Sequence, residues 1–453
     1  MKIVLGHDDY LLSKGQFTAV VCDYNRLVNA HMLIMGKTGM GKTTTLYTLI
    51  AQLHHSETPI RIHVFDVHGD IILPGASSFR FSESTEYGLN PFVVSADPHF
   101  GGVRKRVQDF ITTINGCRPI GARQEAVMRH LITDLFAANG FFMDNPKSWG
   151  LDDGYARKHP KRYPTMDDAC RYAFGKLKQL TLGGDTASGR ALEELNKVTS
   201  RLYKISKQWR ATTEADAGKP DEKLVEQALK HRTEALKCYK GYIENLETGK
   251  ELDDFIKYES KEILKSLVDR FDNLKASGIF KNQPPPFDPA NPVWRYDITA
   301  LREDEKRLFV EFRLQELFSA AQENGPLQAG GRLRDLLVID EAHQFFRDDA
   351  HNILNTIAKE GRKFGLGLVC ASQSPTHFSE DFFANVATKI VLGVDPMYWD
   401  NLVRKMKIEP GSLKYIKPFK VMGVQMSNKG ESRTRFTMVR LPERSEAAVS
   451  GHV

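Results

Sequence analysis

The chain has few cysteines, and their spacing excludes the usual metal and disulfide sites. Among 453 residues there are five cysteines, widely scattered, and none forms a CxxC pair. An odd number of scattered thiols is typical of a reduced, cytoplasmic protein. We therefore expect neither a zinc or iron–sulfur centre nor a disulfide framework.

Long apolar runs are also missing. No run approaches the roughly 20 residues that cross a bilayer, and charges interrupt the amino-terminal stretch MKIVLGHDDYLLSKG too early for a signal peptide. We expect a cytoplasmic protein with no membrane contact. The composition, 41% hydrophobic and 26% charged, fits a folded globular protein, and the net charge of +6 permits a nucleic-acid partner without indicating one.

Short apolar runs, by contrast, occur near both ends of the chain. They are rich in branched residues and do not alternate with polar ones, which is typical of parallel strands buried on both faces. Helical patterns between them indicate an α/β fold with a mainly parallel sheet. The predicted strands are His31–Met35, Arg61–Phe65, Leu336–Ile339, Leu366–Ala371 and Lys389–Gly393. Ile3–Gly6 and Phe17–Cys22 are expected to form a short hairpin before the first of them.

The middle of the chain has a different pattern. Between about 188 and 277, apolar residues recur every three or four positions in three successive stretches, which predicts three amphipathic helices. Such a series indicates a helical bundle inserted into the α/β domain. The predicted division is a hairpin segment at 1–30, the core at 31–145, the insertion at 146–290 and the rest of the core at 291–453.

The strongest motif follows the strand at 31–35. The sequence GKTGMGKT matches GxxxxGK[ST] in full and precedes a helical run, which is the context that a phosphate-binding loop requires. Its backbone N–H groups and helix N-terminus can bind phosphate, Lys42 can reach the β- and γ-phosphates, and the Thr43 hydroxyl can bind Mg²⁺. The predicted ATP-binding residues are Gly36, Lys37, Thr38, Gly39, Met40, Gly41, Lys42, Thr43 and Thr44.

Two acids follow another buried strand, in the sequence LLVIDEAH at 336–343. At a strand end beside the phosphate-binding loop, Asp340 would hold Mg²⁺, directly or through water. Glu341 would polarise the attacking water. The sequence thus predicts an ATPase with ATP and Mg²⁺ as substrate and cofactor.

The segment EGRKFGLGLVCASQSP at 360–375, together with IDEAH, resembles the pattern of the HerA/FtsK superfamily of P-loop ATPases. FDVHGD at 65–70 and NPF at 90–92 are similar to two further blocks of that family. The resemblance covers about 31–125 and 293–393 and implies a RecA-like core. It also implies a homo-hexamer acting on double-stranded DNA.

Roles for three more residues are implied by this resemblance. Gln373 would sense the γ-phosphate and help to place the water. Arg362 would act as an arginine finger on the ATP of a neighbouring subunit, although Lys363 competes for that role. Asp66 would either orient water or Mg²⁺ or only cap a turn.

The chain departs from the HerA pattern at its amino terminus. Relatives of this type usually carry an amino-terminal β-barrel that helps to dock a nuclease, and only the short hairpin stands here. Three hypotheses for function remain open. They are a motor that translocates on or unwinds double-stranded DNA with a nuclease or other effector partner, a ring that scaffolds and activates an antiviral effector enzyme, and a conjugation or secretion motor.

Overall fold

The structure is a computed structural model that describes residues 1–55, 60–152, 160–182, 187–215, 222–245, 257–258, 260–328, 331–347, 352–431 and 434–442. Contacts divide the chain into two compact units. The first comprises Met1–Pro119 and Ser277–Val453, and the second comprises Ile120–Ala276. A helical unit is thus inserted into an α/β unit, as predicted, whereas the finer limits of 146–290 stay a prediction.

An eleven-stranded sheet forms the first unit, in the order β2-β1-β11-β10-β9-β3-β8-β7-β4-β6-β5. The strands are β1 Lys2–Asp8, β2 Ala19–Asp23, β3 Met32–Met35, β4 Arg61–Asp66, β5 Ser77–Arg80, β6 Val293–Asp297, β7 Asp335–Ile339, β8 Leu366–Ser372, β9 Thr388–Val391, β10 Val421–Met426 and β11 Thr437–Arg440.

The seven strands from β9 to β5 are parallel. All five strands predicted from apolar runs belong to this part, and their limits agree within two residues. β3 and β8 are buried along their whole length, which explains why the sequence showed unbroken apolar runs there. The predicted α/β fold with a mainly parallel sheet is confirmed.

The remaining four strands are antiparallel. β1 and β2 form the predicted hairpin, and β1 also pairs with β11, so the hairpin extends the same sheet. The neighbouring strands β10 and β11 form a second antiparallel pair that joins β9. The amino-terminal residues are therefore an edge of the core sheet.

Helices connect the strands of the first unit. They are α1 Asp9–Ser13, α2 Lys42–His54, α3 Val103–Cys117, α9 Glu303–Glu323, α10 Ile353–Glu360, α11 Glu380–Asn385, α12 Trp399–Met406 and α13 Pro410–Tyr415. Short 3-10 turns occur at Ala342–Gln344, Gly361–Phe364 and Pro396–Tyr398. The parallel strands require such crossover connections, since consecutive parallel strands cannot be joined by a tight turn.

The second unit consists of helices. Their bounds are α4 Ala122–Ala138, α5 Met166–Leu182, α6 Ala187–Ala215, α7 Glu222–Glu244 and α8 Lys261–Ala276, with a 3-10 turn at Pro146–Ser148. The three predicted amphipathic helices correspond to α6, α7 and α8. The predicted break at 217–220 and the start of the third pattern, at 255–256, lie outside the described residues. No helix in the described part of the chain is both long and apolar enough to span a bilayer.

Candidate nucleotide site

The phosphate-binding loop joins β3 to α2 at the carboxyl edge of the parallel strands. Gly39 and Gly41 have φ of +80° and +93°, in the left-handed region that favours glycine. A Cβ on Gly36 would lie 3.1 Å from Cβ of Leu392, so this position also needs a small residue. Backbone bonds from Gly36 N to Ser372 O and from Lys37 N to Gly393 O, of 3.0 and 2.9 Å, fix the loop between β8 and β9.

The first turn of α2 is open to an anion. Its N-cap is Gly41, which provides no side-chain hydrogen bond to the helix. The N–H groups of this turn, which includes Thr43 and Thr44, and the positive end of the helix dipole therefore point towards the loop without a capping side chain. Anion binding at such an end needs no additional side chain, because the backbone itself donates the hydrogen bonds.

Four side chains predicted for the site form one connected network. Lys42 Nζ lies 3.5 Å from Glu341 Oε1. Gln373 Nε2 donates to the same oxygen at 2.8 Å, and Thr38 Oγ1 donates to Gln373 Oε1 at 3.0 Å. The structure thus brings the loop residues Thr38 and Lys42 together with Glu341 and Gln373, which follow β7 and β8.

The sheet order explains this meeting. β3, β8 and β7 are adjacent and parallel, so their carboxyl ends lie side by side. Asp340 follows β7, and its N–H donates to the carbonyl of Phe65 in β4 at 3.3 Å. The predicted metal-binding carboxylate therefore lies at the same edge as the loop.

Glu341 has an unusual backbone. Its φ of 48° and ψ of 42° are left-handed, a conformation that costs a non-glycine residue roughly 1–3 kcal/mol. The strained turn directs the residue away from the β7 axis and into the network, where its side chain is 5% exposed. One carboxylate oxygen, Oε2, is buried without a hydrogen-bond partner among the described residues.

The pKa values of the two neighbouring acids, Asp340 and Glu341, are shifted in opposite directions. Burial, followed by the charge of Glu341, raises the pKa of Asp340 to about 6. Burial also acts to raise the pKa of Glu341, but His343, Gln373 and Lys42 outweigh it and lower that pKa to about 2. Glu341 is therefore a carboxylate at neutral pH and can accept a proton or a hydrogen bond.

His343 lies beside Glu341 without a well-formed hydrogen bond. Its Nδ1 is 3.2 Å from Glu341 Oε2, yet neither atom has a hydrogen-bond partner of acceptable angle among the described residues. The short distance places the imidazole against Glu341, while the poor angle leaves Oε2 available to a small polar ligand. Hydrogen bonds weaken steeply with misalignment, so this contact contributes little as a hydrogen bond.

Both carboxylate oxygens of Asp66 accept hydrogen bonds from other residues of the protein. Oδ1 accepts from Gly69 N at 2.7 Å, and Oδ2 accepts from Ile71 N at 3.1 Å and from Arg295 Nη2 at 2.6 Å. The side chain is completely buried. Of the two roles left open by the sequence, this geometry favours the turn cap, because both oxygens are already satisfied.

Arg362 lies at the opposite edge of the sheet. It belongs to the 3-10 turn Gly361–Phe364, which precedes β8, whereas Gln373 follows the same strand. At about 3.3 Å per residue, the seven residues of β8 separate the two edges by about 20 Å. Arg362 and its competitor Lys363 are therefore not brought together with the loop of their own chain.

Two groups of basic residues in the sequence, at 104–106 and 404–405, contain side chains with partners inside the fold. Arg106 is buried, and its Nε donates to the carbonyl of Pro91. Lys105 donates to Phe100 O and Gln322 Oε1, and Lys405 donates to the carbonyls of Pro375 and Phe378. These cations stabilise loops of the first unit.

Part of the chain matches a known family model. Residues 10–75, which include β3, the phosphate-binding loop, α2 and β4, match the model described as helicase HerA, central domain. The match thus covers the loop and Asp66 but ends before the acids that follow β7.

Curated proteins are similar over short segments. The DNA double-strand break repair helicase HerA of Sulfurisphaera tokodaii is 28% identical over 158 residues, which is 32% of this chain and 29% of that protein. The protein of the same name from Pyrococcus furiosus is 43% identical over 63 residues, 13% of this chain and 11% of that protein. The similarity therefore spans less than a third of either relative.

A solved structure shares the fold over nearly the whole chain. VirB4 of Thermoanaerobacter pseudethanolicus superposes with a TM-score of 0.62 at 14% identity, covering 98% of this chain and 97% of that one. At this identity the likeness shows the fold alone, a RecA-like α/β core. The chain is thus similar to HerA-type helicases over residues 10–75 and shares the overall fold of VirB4.

Proposed function

We propose that the chain hydrolyses ATP with Mg²⁺ at the carboxyl edge of its sheet, as a homo-hexamer that translocates on or unwinds double-stranded DNA. The observation that carries the proposal is the network from Thr38 and Lys42 to Glu341 and Gln373, which joins the phosphate-binding loop to the acidic strand end. The DNA double-strand break repair helicases HerA that share the matched segment support action on DNA.

The residues present fit a nucleotide and its metal. The uncapped first turn of α2 offers N–H groups to phosphate, and Lys42 offers a buried positive charge. Thr43 and Asp340 would hold Mg²⁺, which would neutralise charge on the phosphates. The unpartnered, buried Oε2 of Glu341 points to a polar ligand that the protein does not itself supply.

Hydrolysis follows from the charge of these groups. An incoming triphosphate would compete with Glu341 for Lys42, and the released carboxylate could then bind the attacking water. The water oxygen bonds to the γ-phosphorus, the bond to the β-phosphate oxygen breaks, and Glu341 accepts the proton. Gln373, bonded to both Glu341 and Thr38, would position the water between the loop and the carboxylate.

The amino edge of the sheet supports a ring. Arg362 is exposed and lines a cavity of about 810 Å³ whose described lining contains no acidic residue. The cations of this lining are Arg332, Lys359, Arg362, Lys363 and Lys429. A cavity of this charge would attract the triphosphate of a second copy, and an arginine supplied in trans can accelerate hydrolysis roughly 10³–10⁵-fold.

Mixed rings test the trans arrangement directly. Lys42→Ala and Arg362→Ala should each abolish turnover, because one removes the phosphate contact and the other the finger. An interface formed by the loop of an Arg362→Ala subunit and the cavity of a Lys42→Ala subunit has both groups intact. Mixing and reassembling the two variants should therefore restore measurable ATPase activity. Full activity of Arg362→Ala, together with loss of turnover in Lys363→Ala, would contradict Arg362 as the finger and assign that role to Lys363.

DNA dependence tests the motor. ATP turnover should rise when double-stranded DNA is added, and strand displacement or translocation should require ATP. Native mass measurements should give six copies. Unchanged turnover with DNA, together with tight binding of an effector protein, would instead support the scaffolding ring. Coupling to a secretion apparatus would show neither effect.

A further inference from the structure

Beside the phosphate-binding loop lies an aromatic side chain that neither the sequence motif nor the hydrolytic network uses. Phe419 is 42% exposed, although it is a large apolar residue. A Cβ on Gly41 would lie 3.1 Å from Cε1 of its ring, so the ring edge lies directly against the N-cap of α2. The ring thus contacts the loop while 42% of the residue remains exposed.

Phe419 is held in this position at a cost. Its φ of 56° is in the left-handed region, where a bulky residue is a rare exception. The tight turn that carries it is closed by reciprocal bonds between Lys417 and Val421 of 3.0 Å each, and Leu441 N bonds to Lys420 O. The backbone is therefore fixed, and the ring is presented by a rigid turn.

The sheet order places this turn on the side of the loop opposite the acids. Glu341 and Gln373 follow β7 and β8, on one side of β3, whereas Phe419 precedes β10, which lies beyond β9 on the other side. A nucleotide with its γ-phosphate near Glu341 must extend along the loop and away from β8. Its base would then leave the loop on the side of Phe419.

We infer that Phe419 is the platform on which the base of the bound nucleoside triphosphate stacks. This inference rests on the proposed nucleotide site and adds its base-binding subsite. The exposed Lys417 and Lys420 belong to the same turn, and their positive charges favour an anionic ligand near it. Stacking on an aromatic face tolerates different bases, because every base has a π-face. Phe419 should therefore strengthen binding of ATP and GTP alike.

Calorimetry with two ligands can distinguish stacking of the base on Phe419 from mere packing of Phe419 against the loop. Phe419→Ala should weaken ATP binding roughly tenfold and leave binding of inorganic tripolyphosphate, which has no base, unchanged. Phe419→Tyr should retain wild-type affinity, while Phe419→Leu, which keeps apolar bulk without a π-face, should behave like alanine. Phe17→Ala, which removes an aromatic ring that is 81% exposed, is the matched control and should change neither ligand.

The outcomes also separate this inference from the proposed function. An equal loss for ATP and tripolyphosphate would show that Phe419 only supports the loop, and unchanged affinity in every variant would show that the ring does not contact the base. Either result overturns the platform and leaves the ATPase intact. If the wild-type chain binds neither ligand, the nucleotide site itself is wrong.

Discussion

Asp66 and Asp340 stand at the ends of the neighbouring parallel strands β4 and β7, and both are buried, yet their surroundings are opposite. The oxygens of Asp66 accept hydrogen bonds from two backbone N–H groups and from Arg295. Among the described residues, Asp340 accepts only from Glu341 N, at 2.9 Å. A position at a strand end therefore does not by itself make a carboxylate available to a ligand. The number of hydrogen bonds that the carboxylate already accepts from the protein decides this.

The largest effect should come from the carboxylate next to Asp340. Glu341→Gln keeps the size of the side chain and removes the proposed proton acceptor, so turnover should fall roughly 10²–10⁴-fold. Nucleotide binding should persist, because Lys42 then loses a competing carboxylate. Single-turnover ATPase assays and equilibrium binding would measure the two quantities separately.

Retained turnover in that variant would remove Glu341 from the reaction. Gln373→Ala is an informative partner variant. It removes the amide that bonds to Glu341. A smaller loss than that of Glu341→Gln is expected, since the carboxylate itself remains.

Asp66→Asn should affect stability first. It removes the closer of two carboxylates beside the guanidinium of Arg295, whose side chain is only 12% exposed, and leaves only Asp297 Oδ2 at 3.9 Å. Breaking a buried pair in this way costs about 3–5 kcal/mol of unfolding free energy. Denaturant unfolding would measure the loss. A variant that keeps its stability but loses turnover would show instead that Asp66 acts in catalysis.

This contrast marks what the sequence can disclose. The parallel strands and the loop were predictable, because burial on both faces leaves apolar runs and phosphate binding requires glycine at fixed positions. The role of Asp66 was not predictable, because its partner Arg295 is 229 residues away and belongs to another strand. The placement of Phe419 depends in the same way on β10 lying beyond β9.

Other features of the fold were not predictable from the sequence for similar reasons. Strands β5 and β11 have four residues each and are only partly buried, so they lack the apolar signal that identified the core. Strand β10 is buried over five of its six residues, but Gly423 and Gln425 interrupt its apolar run in the sequence. Local periodicity shows that a helix has an apolar face without showing what covers that face, so the exact limits of the helical unit stay a prediction.

The smallest effect concerns a buried polar side chain away from the network. Both ring nitrogens of His31 are buried without hydrogen-bond partners among the described residues, and burial lowers its pKa to about 4 from an ordinary 6.5. Between pH 6.5 and 4 the unfolded chain binds a proton here that the folded chain does not, so stability falls as the pH falls. The contribution is at most about 3 kcal/mol.

His31→Leu should therefore flatten the dependence of unfolding free energy on pH in this window, measured by urea denaturation. His63 is a matched buried histidine whose pKa is also lowered to about 4, so part of the slope should remain. An unchanged slope would mean that His31 is hydrated in solution. The unpartnered oxygen of Glu341 lies in the proposed nucleotide site, whereas His31 lies outside the network of that site. Replacing His31 should therefore stabilise the fold at acid pH and leave nucleotide binding and turnover unchanged.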